Sequence, residues 1–119
     1  TVGAIGPKAV SVMKETFHSQ PRDLVAAIGP SIGPKDYEVD DRVRNAAPGY
    51  EAFFIQTRPH HYLMDLWHLN AAMLQKAGIP TDQIYLAGVS TFSSDHYFSY
   101  RRDHGRTGRL AAILFQRGR

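Results

Sequence analysis

The chain has 119 residues, enough for one domain, and its 43% apolar and 21% charged content is that of an ordinary globular protein. No apolar run approaches the roughly 20 residues of a membrane-spanning helix, which argues against a membrane partner, and the absence of cysteine excludes disulfides and thiolate metal ligands within these residues. The formal net charge of +3 is local: His96 to Arg119 carries six arginines and one acid, whereas Thr1 to Asp95 carries eight Lys or Arg against ten Asp or Glu.

The opening Thr1-Val2-Gly3-Ala4-Ile5-Gly6 lacks the basic and long apolar regions of a secretory signal, and it lacks an initiator Met, as a piece of a longer chain would. A cysteine-free chain suits a reducing compartment, so a cytoplasmic location is expected. Ala9, Val10, Met13 and Phe17 recur at helical spacing and predict an amphipathic helix from Pro7 to about His18, closed by Pro21. Leu24 to Ile28 is a short continuous apolar run and predicts a buried strand. Gly29-Pro30-Ser31-Ile32-Gly33-Pro34 sets two Gly-Pro pairs four residues apart, which predicts a stiff, pocket-shaping loop. It lacks the Gly-Lys-Ser/Thr ending of a phosphate-cradling loop.

The charges between Tyr37 and Ala47 predict a solvated helix stopped by Pro48-Gly49, and Ala52 to Ile55 a strand. Asp65 precedes Leu66, Leu69, Met73, Leu74 and Ala77 and is followed by Gly78, the signature of a helix with an Asp N-cap and a glycine at its end. Ile84 to Val89 and Tyr97 to Arg101 read as strands, Asp103 to Gly108 as a hairpin-like connection, and Arg109 to Gln116 as a closing strand. The mixed order of helices and strands predicts an α+β fold with a mixed β-sheet, in a single domain over residues 1–119.

Six histidines invite a metal hypothesis, but His60 and His61 are adjacent and the others lie far apart, so no ligand spacing for one centre emerges. His60 and His61 after Pro59 read as a loop edge, at which His61 is expected to touch substrate. Arg101 and Arg102 are the sharper pair, because a guanidinium offers paired donors to phosphate, carboxylate or a purine edge, and Tyr97, Phe98 and Tyr100 add stacking faces. On a strand, Phe98, Tyr100 and Arg102 would share one face and Tyr97, Ser99 and Arg101 the other, so one arginine would face the pocket, and structural ion pairing of both is the alternative. Gly105, Thr107 and Gly108 read as turn residues that place Arg106 and Arg109. Because the basic surplus is confined to one segment, a small ligand fits better than extended nucleic acid, and no nucleic-acid partner is expected.

Ala27-Ile28-Gly29-Pro30-Ser31-Ile32-Gly33-Pro34, Tyr37-Glu38-Val39, Asp65-Leu66-Trp67 with Asn70, Phe98-Ser99-Tyr100-Arg101-Arg102-Asp103 and Thr107-Gly108-Arg109 together resemble the YfiH/YlmD family, known also as the multi-copper polyphenol oxidoreductase laccase family. The resemblance implies part of a four-layer α/β/β/α fold. It implies a purine nucleoside phosphorylase acting on adenosine, inosine and methylthioadenosine with phosphate, together with adenosine deamination. It also implies a zinc held by two histidines and one cysteine of the family's N-terminal half, the last in a His-Ala-Gly-Trp-Arg-Gly motif. The chain resembles the half that follows, beginning at Thr1, so none of its residues is assigned to the metal and the isolated chain is expected to be inactive. Copper enters only through the family's name. Relatives often carry cysteines near Lys35 or Asp36 and near Ser90, where this chain has none. On this reading Arg101 or Arg102 holds phosphate or the purine and Tyr100 stacks or lines the pocket. Association with the N-terminal half, or with a second copy, is expected. The alternatives are laccase-like polyphenol oxidation and a non-catalytic interaction fragment.

Overall fold

A computed structural model describes residues 1–118. Helix α1, Ile5–Phe17, carries Pro7 in its first turn, where the ring removes only an amide that has no helical partner. It ends at His18, in the left-handed conformation at φ 58°, whose amide caps the Met13 carbonyl. Only Val10 of α1 is buried, and Ile5, Val12, Met13 and Phe17 remain exposed. Strand β1 is Ala26–Ile28 and pairs in parallel with β5, Ile84–Leu86, with Ala26 opposite Ile84.

The second sheet is antiparallel, ordered β2, β4, β3, from β2 at Glu38–Asp40, β3 at Phe54–Arg58 and β4 at His61–Met64. Helix α2, Asp41–Asn45, follows β2 directly because the Asp40 carboxylate accepts the Val43 amide at 3.2 Å. Helix α3, Leu66–Lys76, starts in the same way from Asp65, which accepts the His68 amide at 3.0 Å. Beyond its last turn stands Gly78 at φ 110°, a conformation that only glycine adopts without strain, and a Cβ there would lie 2.8 Å from Pro21. One face of α3 covers the antiparallel sheet. Val39, Ala47, Phe54, Met64, Leu69 and Met73 form that core, with Met64 and Leu69 almost fully enclosed.

The α+β character and the mixed pairing agree with the sequence pattern, whereas several boundaries do not. The first helix begins two residues earlier than its proline suggests. The apolar run from Leu24 yields three strand residues whose sheet has only two strands, which leaves Val25 66% exposed where full burial was predicted. The expected helix over 37–47 is a strand and then a short helix, and β4 arises where a loop edge was read around His61. There His60 sits at the turn, at φ 64°, and a bulge between Gln56 and Arg58 shifts the pairing. Ala52 and Phe53 belong to a helical turn, Glu51–Phe53, that leads into β3.

The largest correction concerns the end of the chain. Residues 97–101 and 109–116 are not strands, and 103–108 is not a hairpin. From Ser99 to Arg106 the backbone folds into successive turns, with the Asp103 amide on the Ser99 carbonyl, Gly105 on Tyr100 and Arg106 on Asp103. Among the described residues the segment from Leu110 finds no ladder to join, and Ile113, Leu114 and Phe115 stand exposed.

Candidate functional site

The parallel pair β1 and β5 does not stop at its last ladder residues. Ser31 bridges Ser90, the Ser31 amide donates to the Val89 carbonyl, and the Thr91 amide donates to the Ser31 carbonyl. The Gly-Pro loop and the segment after β5 therefore leave the carboxyl ends of two parallel strands side by side, the edge at which α/β sheets place ligands.

Side chains fix this junction. The Trp67 indole, one residue into α3, donates to the Ser31 hydroxyl at 2.8 Å. The Ser90 hydroxyl donates to Asp36 at 2.6 Å and accepts the Gly33 amide at 3.0 Å. Gly33 is buried beneath these groups, and a Cβ on it would lie 3.0 Å from that of Ser90 and 3.2 Å from the Trp67 ring. The two loops are thus locked to each other through the Ser90 hydroxyl.

A cleft of about 390 Å³ opens on this junction, floored by Pro30, Ser31 and Leu66 and walled by Tyr37, Tyr100 and Arg101. The Arg101 guanidinium lies 5.2 Å from the centre of the Tyr37 ring, and its Nη1 donates to the Glu38 carbonyl at 2.9 Å. Arg109 stands 5.5 Å over the Tyr100 ring. Glycines allow this wall to form: a Cβ on Gly108 would sit 2.7 Å from the Phe98 ring, and one on Gly105, at φ 85°, 3.2 Å from Tyr100. The two glycines that read as turn residues thus also make room for the aromatic faces.

The arginine pair divides. Arg101 is exposed on the cleft, whereas Arg102 turns inward. Its Nη1 donates to the carbonyls of Thr91 and Ser94 at 2.9 and 2.8 Å and its Nη2 to that of Tyr97 at 2.9 Å. Nε and Nη2 also bond the Asp103 carboxylate at 3.0 and 3.2 Å. The hydrogen bonds from Arg102 hold the Asp103 carboxyl below the usual carboxylate range, and those same bonds push the Arg102 pKa up. The expected strand alternation, with Arg102 beside Phe98 and Tyr100, fails because turns do not alternate.

His61 lies on the other side of Arg101, in a polar cleft of about 430 Å³ that Tyr37 and Arg101 also line. Its Nδ1 is 3.6 Å from Glu38, whose carboxyl is lowered chiefly by a 2.9 Å hydrogen bond from Arg58. Tyr100, Arg101 and Arg109 are thus gathered at one cleft, His61 borders its neighbour, and Arg102 is withdrawn. Tyr37 and Ser31 were not singled out from the sequence as site residues; the aromatic that follows the Gly-Pro loop was the available signal.

Residues 1–117 match the family described as multi-copper polyphenol oxidoreductase laccase. The chain belongs to that family. It is 37% identical to the purine nucleoside phosphorylase YlmD of Geobacillus stearothermophilus over 123 aligned residues, which cover 98% of this chain and 45% of the relative. It is equally similar, at 37%, to the YlmD of Bacillus subtilis, covering 96% and 43%. The crystal structure of the hypothetical protein YfiH from Bacillus licheniformis superposes with a TM-score of 0.86 at 32% identity, over 90% of this chain and 42% of that one. That of the Geobacillus YlmD does so with 0.84 at 36%, with the same coverage. The chain spans less than half the length of these relatives.

The family's name implies copper, and the resemblance zinc, so the donor set of this laccase-family chain matters. Among the described residues no three His, Asp or Glu converge. His60 is paired with Asp41, His68 with Asp65 at 2.7 Å, and His61 stands beside Glu38, one carboxylate to each ring. Two donors do not make a resident metal centre, and these residues do not fit one.

Proposed function

We propose that this chain supplies the base- and phosphate-binding wall of a purine nucleoside phosphorylase, with Arg101 as the residue that meets the anion. The stance of Arg101 carries the proposal. It lies over the Tyr37 ring, one donor is engaged by the Glu38 carbonyl, and the rest of its five-donor fork has no partner among the described residues. A preoriented, underused guanidinium beside stacking faces suits a phosphate dianion next to a planar base. Relatives named purine nucleoside phosphorylase support the assignment.

In phosphorolysis a phosphate oxygen bonds to C1′ of the ribose while the bond from C1′ to the purine nitrogen breaks. The base leaves with the bonding electrons and is protonated, giving sugar phosphate and free purine. Arg101, with Arg109 nearby on Tyr100, would neutralise and orient the phosphate. Tyr37, Phe98 and Tyr100 would line the base, since offset aromatic faces hold a purine without specifying it, in keeping with adenosine, inosine and methylthioadenosine as substrates. Adenosine deamination would use the same base wall. Zinc would be held by residues outside this chain, and His61 would border the phosphate side through the cleft that shares Arg101. The proposal includes a domain that extends beyond these residues, self-association of that domain and a cytoplasmic setting.

The test is Arg101→Ala in the full-length protein, with phosphorolysis measured against phosphate concentration. Loss of a charge-assisted anion contact of about 1.5–3 kcal/mol raises the KM for phosphate by roughly tenfold or more. Unchanged phosphate dependence would overturn the assignment.

A further inference from the structure

Arg102 was expected either to hold ligand or to make a structural ion pair; it makes the pair, with Asp103, and does more besides. It spans four backbone carbonyls, of Thr91, Phe92, Ser94 and Tyr97, and clasps the carboxylate of the next residue. Those carbonyls come from the irregular segment between β5 and the turns, in which no two belong to a shared ladder. The Ser99 hydroxyl accepts the Arg102 amide at 3.3 Å, and Ser99 is itself buried. The segment from Thr91 to Asp103 is thus wound around one guanidinium, and its outer rim presents Phe98, Tyr100 and Arg101 to the cleft.

We infer that Arg102 is a positioning residue: it organises the 91–103 segment as a carbonyl cage and thereby aims Tyr100 and Arg101. An irregular loop lacks ladder bonds of its own, so its shape depends on whatever satisfies its carbonyls. One rigid fork that reaches four of them at fixed angles does this, whereas an ammonium group provides a single point of charge. The cage also explains why two adjacent arginines have different destinations. Arg102 anchors the inner side of the turn, which leaves Arg101 on the outer side against Tyr37. The inference rests on the proposed phosphorylase reading for its kinetic consequence and on the geometry alone for the aiming of Tyr100.

The experiment uses full-length protein carrying fluorotyrosine, with the Tyr100 resonance assigned by Tyr100→Phe, and compares Arg102→Ala, Arg102→Lys and the unaltered protein. Both variants are expected to shift or broaden the Tyr100 resonance. Both should lower kcat/KM for phosphorolysis at least about tenfold, the scale on which a small misplacement of binding groups acts. Lysine should rescue little, although a direct charge contact with phosphate would be largely kept by it. Millimolar guanidinium, well below denaturing concentration, should refill the cage of Arg102→Ala and restore both resonance and rate saturably. A Tyr100 resonance unaltered in Arg102→Ala overturns the inference whatever the rate does. So does a shifted resonance with an unaltered rate. If the unaltered protein has no phosphorolysis, the functional reading fails while the resonance and its guanidinium rescue still decide the aiming role.

Discussion

Arg101 and Arg102 are chemically identical neighbours separated by their hydrogen-bond partners. One has a single backbone bond, to a residue 63 positions away, and lies on an aromatic face; the other is saturated by carbonyls 5 to 11 positions away. The Asp103 carboxylate completes the second arrangement, and its proton affinity is lowered chiefly by the hydrogen bonds from Arg102. A carboxyl depressed in the folded state contributes stability that is present above its unfolded value and lost as pH falls through the folded one. The turns around Asp103 are therefore expected to hold at pH values above the ordinary aspartate value of about 3.9 and to loosen below it. Protection of the Asp103, Gly105 and Arg106 amides from hydrogen exchange, corrected for intrinsic rates across that range, measures this. Equal protection on both sides would contradict it.

Among the elements, α3 is the one whose limits follow most directly from local chemistry. Asp65 satisfies an amide of the first turn and Gly78 accepts a backbone conformation that other residues resist. Asp65→Ala should lower global stability by about 1 kcal/mol, read as a fall in the denaturant midpoint with an unchanged slope. Leu69→Ala, from the fully enclosed side of the same helix, should cost about 2–5 kcal/mol in the same measurement, because the antiparallel sheet and α2 cannot close the space it leaves. The short strands were harder to read. β2 and β4 hold only three and four residues, carry charges and histidine, and exist because each pairs with the other in register, Glu38 opposite Leu63. Propensity over so few residues is weaker than the partner's influence.

At the level of the molecule, a radius of gyration of 15.7 Å exceeds the roughly 13.5 Å of a compact chain of this length. The excess accompanies exposed apolar side chains on three elements: Ile5 and Phe17 of α1, Val25 and Tyr85 at the two-stranded sheet, and Ile113, Leu114 and Phe115 after the turns. Surface of this kind marks association. The 119-residue chain by itself should therefore associate with rising concentration in sedimentation velocity and bind a hydrophobic dye. Concentration-independent monomers without dye binding would argue that these faces close on themselves.

Legibility followed the range of the interaction. The α+β character, α3 with both of its ends, the break at the Gly-Pro loop and the presence of Arg and Tyr side chains along the cleft were readable because periodicity, capping and turn chemistry act over a few residues. Which arginine faces the cleft, that Tyr37 underlies it, that Asp36 locks to Ser90, and that the basic segment folds as turns rather than a hairpin were not. A strand needs a partner, a guanidinium needs acceptors, and both are chosen across tens of residues by packing. Local pattern supplied the chemistry of the wall, and only the tertiary contacts aimed it.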